Sequence, residues 1–133
     1  MLKKLALTVT VIIVAFFGTT YIALESSNVA IAETETPSGD SRTTHIWYID
    51  TPDGYALEAG RPANPWVQDL RSGSSLHLTI NAVRQPFNFE FQANSHVQIR
   101  EEMRAKYGWR DAWVALLFDV SESQRIIARV SEP

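Results

Sequence analysis

Three arginines, Arg42, Arg61 and Arg71, are the side chains in this sequence best suited to chemistry, because guanidinium groups can converge on a phosphate and bind it in bidentate fashion. The plainer reading makes them surface arginines or partner contacts. Other titratable residues suggest less. His45, His77 and His96 fall on different segments, without the convergence of His and carboxylate ligands that a metal needs. Ser38 has no strand–turn–helix elbow to activate it as a nucleophile. Asp50 and Asp53 suit a turn, with too few oxygen ligands in reach for calcium, and Glu101 and Glu102 read as a solvated helix face. The chain has no cysteine, which excludes thiol catalysis and thiolate metal sites. Trp47, Trp66, Trp109 and Trp113 read as core or barrel-end residues, with one or two suited to an interface, since indoles anchor protein contacts and bilayer surfaces.

What must position these residues begins with an apolar N-terminus. Lys3 and Lys4 precede residues 5–24, which carry no charge (LALTVTVIIVAFFGTTYIAL). As a helix this run spans about 30 Å, the thickness of a bilayer's hydrocarbon core. The lysines lie on its N-terminal flank and the next basic residue is Arg42. The positive-inside rule therefore places the N-terminus in the cytoplasm and exports the remainder. A single-pass anchor competes with a cleaved signal peptide, for which Ala30-Ile31-Ala32 before Glu33 offers a small-residue site. The length of the run favours the anchor, since signal cores usually have about 7–15 apolar residues.

Without Lys3 and Lys4 the chain carries ten basic and fifteen acidic residues, a net charge of −5 outside the membrane. That balance argues against nucleic acid, or anionic lipid headgroups, as the main partner. Residues 25–41 (ESSNVAIAETETPSGDS) are small, acidic and polar and read as a flexible tether. The domain is then 42–133, enough for one small core.

Within it, residues 43–49 and 55–59 read as strands around an Asp-Gly turn. Asn64-Pro65 reads as the start of a short helix reaching Arg71 and stopped by Gly73. Residues 76–82 and 87–91 alternate apolar and polar as a hairpin, and Phe87, Phe89 and Phe91 on one face mark the expected centre of the core. Residues 95–107 read as a helix capped by Asn94 or Ser95, with Ile99, Met103 and Tyr107 buried and a Glu102–Lys106 pair on its surface. Residues 109–118 are ambiguous between helix and buried extended chain, with helix favoured, and 124–130 form a last strand. The expected architecture is α+β: one transmembrane helix, then a small, mostly antiparallel barrel with two or three short helices.

Ser38-Gly39-x-x-Arg42, a strand with Ile46-Trp47-Tyr48, Gly60, Pro65-Trp66-x-x-x-Leu70, and a closing Arg104-Ala-Lys-Tyr-Gly-Trp109 before the last strand together resemble the split-barrel flavin-binding proteins. The nearest branch is that of the deazaflavin-dependent nitroreductases, related to pyridoxamine-phosphate-oxidase-like proteins. The resemblance covers about residues 36–133. It implies a split barrel holding a flavin or deazaflavin in a cleft, with Ser38, Gly39, Arg42, Arg61, Trp66 and Arg71 as the cofactor-binding set. Active relatives place basic residues before the Ser-Gly pair, where this chain has Glu35, Thr36 and Pro37, followed by Asp40; Asp69 replaces an Asn. Those carboxylates repel a phosphate.

The expectation is therefore a non-catalytic accessory subunit of a larger membrane protein complex, of respiratory or photosynthetic type, with no cofactor, no catalytic residue and no metal. It would sit in the inner membrane through residues 5–24, with its domain on the periplasmic side. The alternative is a membrane-tethered oxidoreductase that uses a flavin or deazaflavin to reduce quinones or nitro compounds.

Overall fold

The computed structural model describes residues 2–25 and 28–131. The elements run α1 (Leu2–Glu25), β1 (Val29–Glu35), β2 (Ser41–Thr51), β3 (Gly54–Ala59), α2 (Pro65–Arg71), β4 (Leu76–Ile80), β5 (Val83–Gln92), α3 (His96–Tyr107), α4 (Trp109–Leu117) and β6 (Gln124–Val130). The six strands close into one antiparallel barrel in the order β1-β2-β3-β6-β5-β4. Closure gives every strand a neighbour on both sides, which limits the exposed edge that templates aggregation, although β2 meets β3 only over Tyr48–Thr51.

The core follows from strand alternation. Leu57, Leu76, Leu78 and Ile126 point inward and are fully buried, with Ala30, Ala32, Ile46, Val67 and Phe87 packed around them. Phe89 and Phe91 are only partly buried at the edge of that cluster, so the centre of the core is aliphatic, not the expected three phenylalanines. A second cluster seats α3 on the outside of the barrel: Trp47, Ile99, Met103 and Tyr107. The Trp47 and Tyr107 rings stack with centroids 4.1 Å apart. The Tyr107 hydroxyl donates to the Asn28 carbonyl at 2.7 Å and accepts the Tyr48 N–H at 3.1 Å. Burial pushes that phenol above its ordinary value, so it stays protonated and able to donate.

Gly54 is the one position where absence of a side chain is decisive. Its φ is +147°, and a Cβ there would lie 2.2 Å from the Ala128 carbonyl oxygen across the β3–β6 pairing. Gly108, with φ +55°, makes the corner between α3 and α4.

The structure corrects the reading of residues 25–41 as a flexible tether. Val29–Glu35 is a full barrel strand, paired with β2 from Val29↔Trp47 to Glu35↔Ser41 and with β4 at Ile31↔Thr79 to Glu33↔His77. The barrel therefore begins at Val29, not at residue 42. The segment 109–118 resolves as helix, α4. Asn64 and Ser95 stand at helix starts without capping through their side chains. Ser95 Oγ instead donates to the Gln92 carbonyl and accepts the Arg125 N–H. The Glu102–Lys106 pair does not form: Glu102 takes Arg125 at 2.8 Å, and Lys106 reaches the Tyr48 carbonyl at 2.6 Å.

Candidate functional site

A cavity of about 540 Å³ lies along β2 beside the stretch that β3 does not pair, bordered by α2, α4 and the last turn of α1. Its size is that of a small-molecule site. Consecutive residues of β2, from Arg42 to Trp47, border it, and the Pro65 start of α2 brings Trp66 to its wall, where the indole is buried. Arg61 comes from the loop before α2, Val114 and Phe118 from α4 and its end, and Leu24 and Glu25 from α1.

The charges on its walls are largely committed. Arg42 Nε donates to Asp69 Oδ2 at 2.7 Å, and Thr34 Oγ1 donates to the same oxygen at 2.8 Å. Asp69 is 3% exposed. Burial by itself raises the Asp69 carboxyl, but the bonds from Arg42 and Thr34 outweigh it and hold the group below its ordinary range. His45 Nδ1 is 2.6 Å from Glu25 Oε2. Glu58 accepts from Arg100 Nη1 at 2.5 Å. Asp119 accepts from the Ser121 hydroxyl at 2.6 Å and from its N–H at 2.9 Å, and these bonds hold its carboxyl low. Among the described residues, none accepts a hydrogen bond from Arg61, which is exposed.

Of the six residues expected to bind a cofactor, the structure gathers three, Arg42, Arg61 and Trp66, around this cavity. Ser38 and Gly39 belong to the β1–β2 turn, where Ser38 Oγ donates to Asp40 Oδ2 at 2.9 Å. Gly39 borders a separate recess of about 210 Å³ with Glu33 and Arg84. Arg71 lies at the far end of α2, bonded to Gln124 Oε1 at 2.9 Å and with its guanidinium 4.5 Å from the centre of the Phe91 ring. A cofactor phosphate does not fit this donor set. Arg71 lies outside the cavity and Arg42 is taken by Asp69, while the walls present the carboxylates of Glu25, Glu58 and Asp119 beside Arg42 and Arg61. Sequence reasoning noticed that Asp69 departs from the family pattern, but not that it closes on Arg42, a pairing 27 positions apart in the chain. Glu25, Glu58 and Asp119 went unnoticed as wall residues because they converge only in three dimensions. Among the described residues no cluster of His, Cys, Asp or Glu is arranged to hold a metal.

The pairing has a consequence in acid. Asp69 stays ionised in the folded chain at pH values where the unfolded chain, titrating near 3.8, has begun to take up protons. Its contribution to stability is therefore complete above about pH 4 and is lost as pH falls through the lower folded value. Asp69→Asn is expected to cost about 1–3 kcal/mol at neutral pH. The gap to the parent should narrow as thermal or urea unfolding is repeated below about pH 4. A gap that stays constant into acid would show that the ion pair contributes nothing.

No family model matches the chain, and no curated protein matches it in sequence. Solved structures do match in shape. The heme storage protein HutZ from Vibrio cholerae aligns with a TM-score of 0.60 at 9% identity, over 84% of this chain and 87% of that one. An F420 reductase aligns with a TM-score of 0.61 at 8% identity, over 84% and 93%. A Clostridium acetobutylicum protein of the pyridoxinephosphate oxidase family, related to a B. subtilis general stress protein, aligns with a TM-score of 0.55 at 12% identity, over 87% and 84%. Identities this low speak to the fold alone. With six antiparallel strands closed into one barrel and these neighbours along most of its length, the chain has the α+β split-barrel fold, preceded by one apolar N-terminal helix.

Proposed function

We propose that this protein is a non-catalytic accessory subunit of a larger membrane complex of respiratory or photosynthetic type. α1 crosses the inner membrane once with Lys3 and Lys4 on the cytoplasmic side, and the barrel bridges neighbouring subunits on the periplasmic face. The observation that carries this reading is the closure of Asp69 and Thr34 on Arg42. A barrel that commits Arg42 to its own buried carboxylate, keeps Arg71 outside the cavity and leaves Arg61 facing wall carboxylates is better suited to being held than to holding a phosphorylated cofactor. The environment of α1 supports the membrane part. Leu5, Val11, Ile12, Val14 and Phe17 are 58–65% exposed, a surface that water does not favour and lipid or other spans would cover. Retention of α1 is supported by β1: Ala30 and Ala32, the small residues of the candidate cleavage site, are fully buried inside a barrel strand.

A second reading draws on the shared cavity of Arg42, Arg61 and Trp66: a membrane-tethered flavin or deazaflavin oxidoreductase acting on quinones or nitro compounds. If a flavin or deazaflavin were bound, Arg42, Arg61 and Trp66 would be the residues to hold it and it would supply the redox chemistry. Purification from the native membrane in mild detergent separates the two. The accessory reading expects a colourless protein that co-migrates with other subunits. A bound chromophore absorbing at the edge of the visible would overturn it in favour of the second reading, and a colourless, solitary monomer would overturn both.

A further inference from the structure

The side of α4 turned away from the barrel carries no charge. Trp109, Ala112, Trp113 and Leu116 recur at i, i+3, i+4 and i+7 and form one stripe. Trp109 is 54% and Leu116 77% exposed, and Phe118 just beyond is 42% exposed. The two charges of α4 are disposed of differently. Asp111 is turned inward and buried against Arg100. The Arg110 guanidinium lies 5.5 Å from the centre of the Trp109 ring, and its Nε is buried with no hydrogen-bond partner among the described residues.

The stripe is continuous with the apolar surface of α1. Trp113 Nε1 donates to Thr20 Oγ1 at 3.1 Å, and its ring centre is 5.9 Å from that of Phe16. Thr20 and Phe16 lie four and eight residues before Leu24, so α4 sits level with roughly the last 6–12 Å of the apolar run. The barrel is held in the same place by two more contacts: Trp47 Nε1 donates to the Leu24 carbonyl at 3.4 Å, and His45 meets Glu25. Nothing in this arrangement resembles a domain swinging on a leash.

We propose that α4 is an interfacial helix that seats the barrel directly on the bilayer, with the stripe of Trp109, Trp113 and Leu116 laid against the upper acyl region. The occupant of the exposed stripe is lipid, because its apolar side chains continue the surface of α1 at a depth where α1 is itself apolar. This rests on the reading of α1 as a membrane span. One consequence is that the cavity bordered by Leu24, Val114 and Phe118 opens next to the acyl chains and not toward bulk water.

The absence of cysteine makes the test direct. Full-length Val14→Cys, Leu116→Cys and Ser72→Cys variants are each labelled with bimane and reconstituted at low protein density into phosphatidylcholine vesicles. Lipids brominated either high or deep in the acyl chain then serve as quenchers. Ser72 follows α2 at the end of the barrel remote from α1, beside the Glu35–Ser74 contact. Bimane at 116 is expected to lose roughly half its fluorescence or more to the shallow bromines, bimane at 14 to be quenched by the deep ones, and bimane at 72 by neither. An unquenched label at 116 with a quenched label at 14 would overturn the seating of α4 and leave the span intact. An unquenched label at 14 would remove the span and the inference with it. Quenching at 116 that is restored to full fluorescence on raising the protein density would identify a second copy as the better occupant and overturn the assignment to lipid.

Discussion

Replacing Arg100 with alanine is expected to destabilise the barrel by about 3–5 kcal/mol. Arg100 projects from α3 between Glu58 on β3 and Asp111 on α4, and its own exposure is 8%. Burial works to discharge the guanidinium, but the two carboxylates, each bonded to it, more than reverse that and raise its affinity for the proton. Removing the cation strands two buried carboxylates beside one another. They must then ionise in repulsion, take up protons, or pull the three elements apart. Denaturant unfolding of the full chain in a fixed detergent measures the loss. The converse variant is as informative: Arg100→Met combined with Glu58→Leu and Asp111→Leu should unfold close to the parent, since a buried ionic triad returns little net stability over a well-packed apolar one. A loss below about 1 kcal/mol for Arg100→Ala would mean that water reaches the triad and that it is a surface feature in disguise. The triad also controls the site, because Glu58 forms part of the cavity wall and Asp111 fixes the inward side of α4. Arg100→Ala should therefore loosen α4 from the barrel before it loosens the strands.

The elements that sequence reasoning located share a local signature. The alternation in β4 and β5, the Asp-Gly turn after β2, the Asn-Pro entry to α2 and the glycine after α3 each announce themselves within a few residues. What it missed depends on partners far along the chain. Arg100 follows Ile99 on a helix whose apolar stripe is plain, yet nothing nearby marks the arginine as buried, because its carboxylates are 42 and 11 residues away. The commitment of Arg42 to Asp69 was hidden in the same way. Glu102 and Lys106 illustrate the reverse error: correct helical spacing, but each with a better partner on the barrel. Of the candidate site, the sequence showed which residue types were present, while the fold decided that three of the six would meet. The stripe on α4 was visible as aromatic content but had no meaning until its contact with α1 was known.

The largest error concerned β1, and it leads to the last expectation. Ala30, Ala32 and Thr34 face inward while Val29, Ile31 and Glu33 are only partly covered, so the period of two is present. It was masked because alanine is a weak strand former and the surrounding residues are acidic and small. Barrel closure selects those small residues: β1 is hydrogen-bonded on both sides, to β2 and to β4. A chain beginning at Glu33, as cleavage after Ala32 would leave it, is expected to lose cooperative folding. It would expose the edges of β2 and β4 and lack four of the seven β1–β2 register pairs. A small domain has only about 5–15 kcal/mol of stability in total, and an opened barrel gives up both core burial and ladder hydrogen bonds. A chain beginning at Asn28 keeps the whole strand and serves as the reference, with α1 absent from both. Circular dichroism through a thermal ramp should show a sharp transition for the longer fragment and a gradual slope for the shorter. Equal, sharp transitions for both would show that five strands suffice, and Ala30-Ile31-Ala32 would then be free to serve as a processing site. Loss of the transition only in the shorter chain would tie retention of the N-terminal helix to the stability of the barrel, since cutting after Ala32 would unfold the domain that the cut was meant to release.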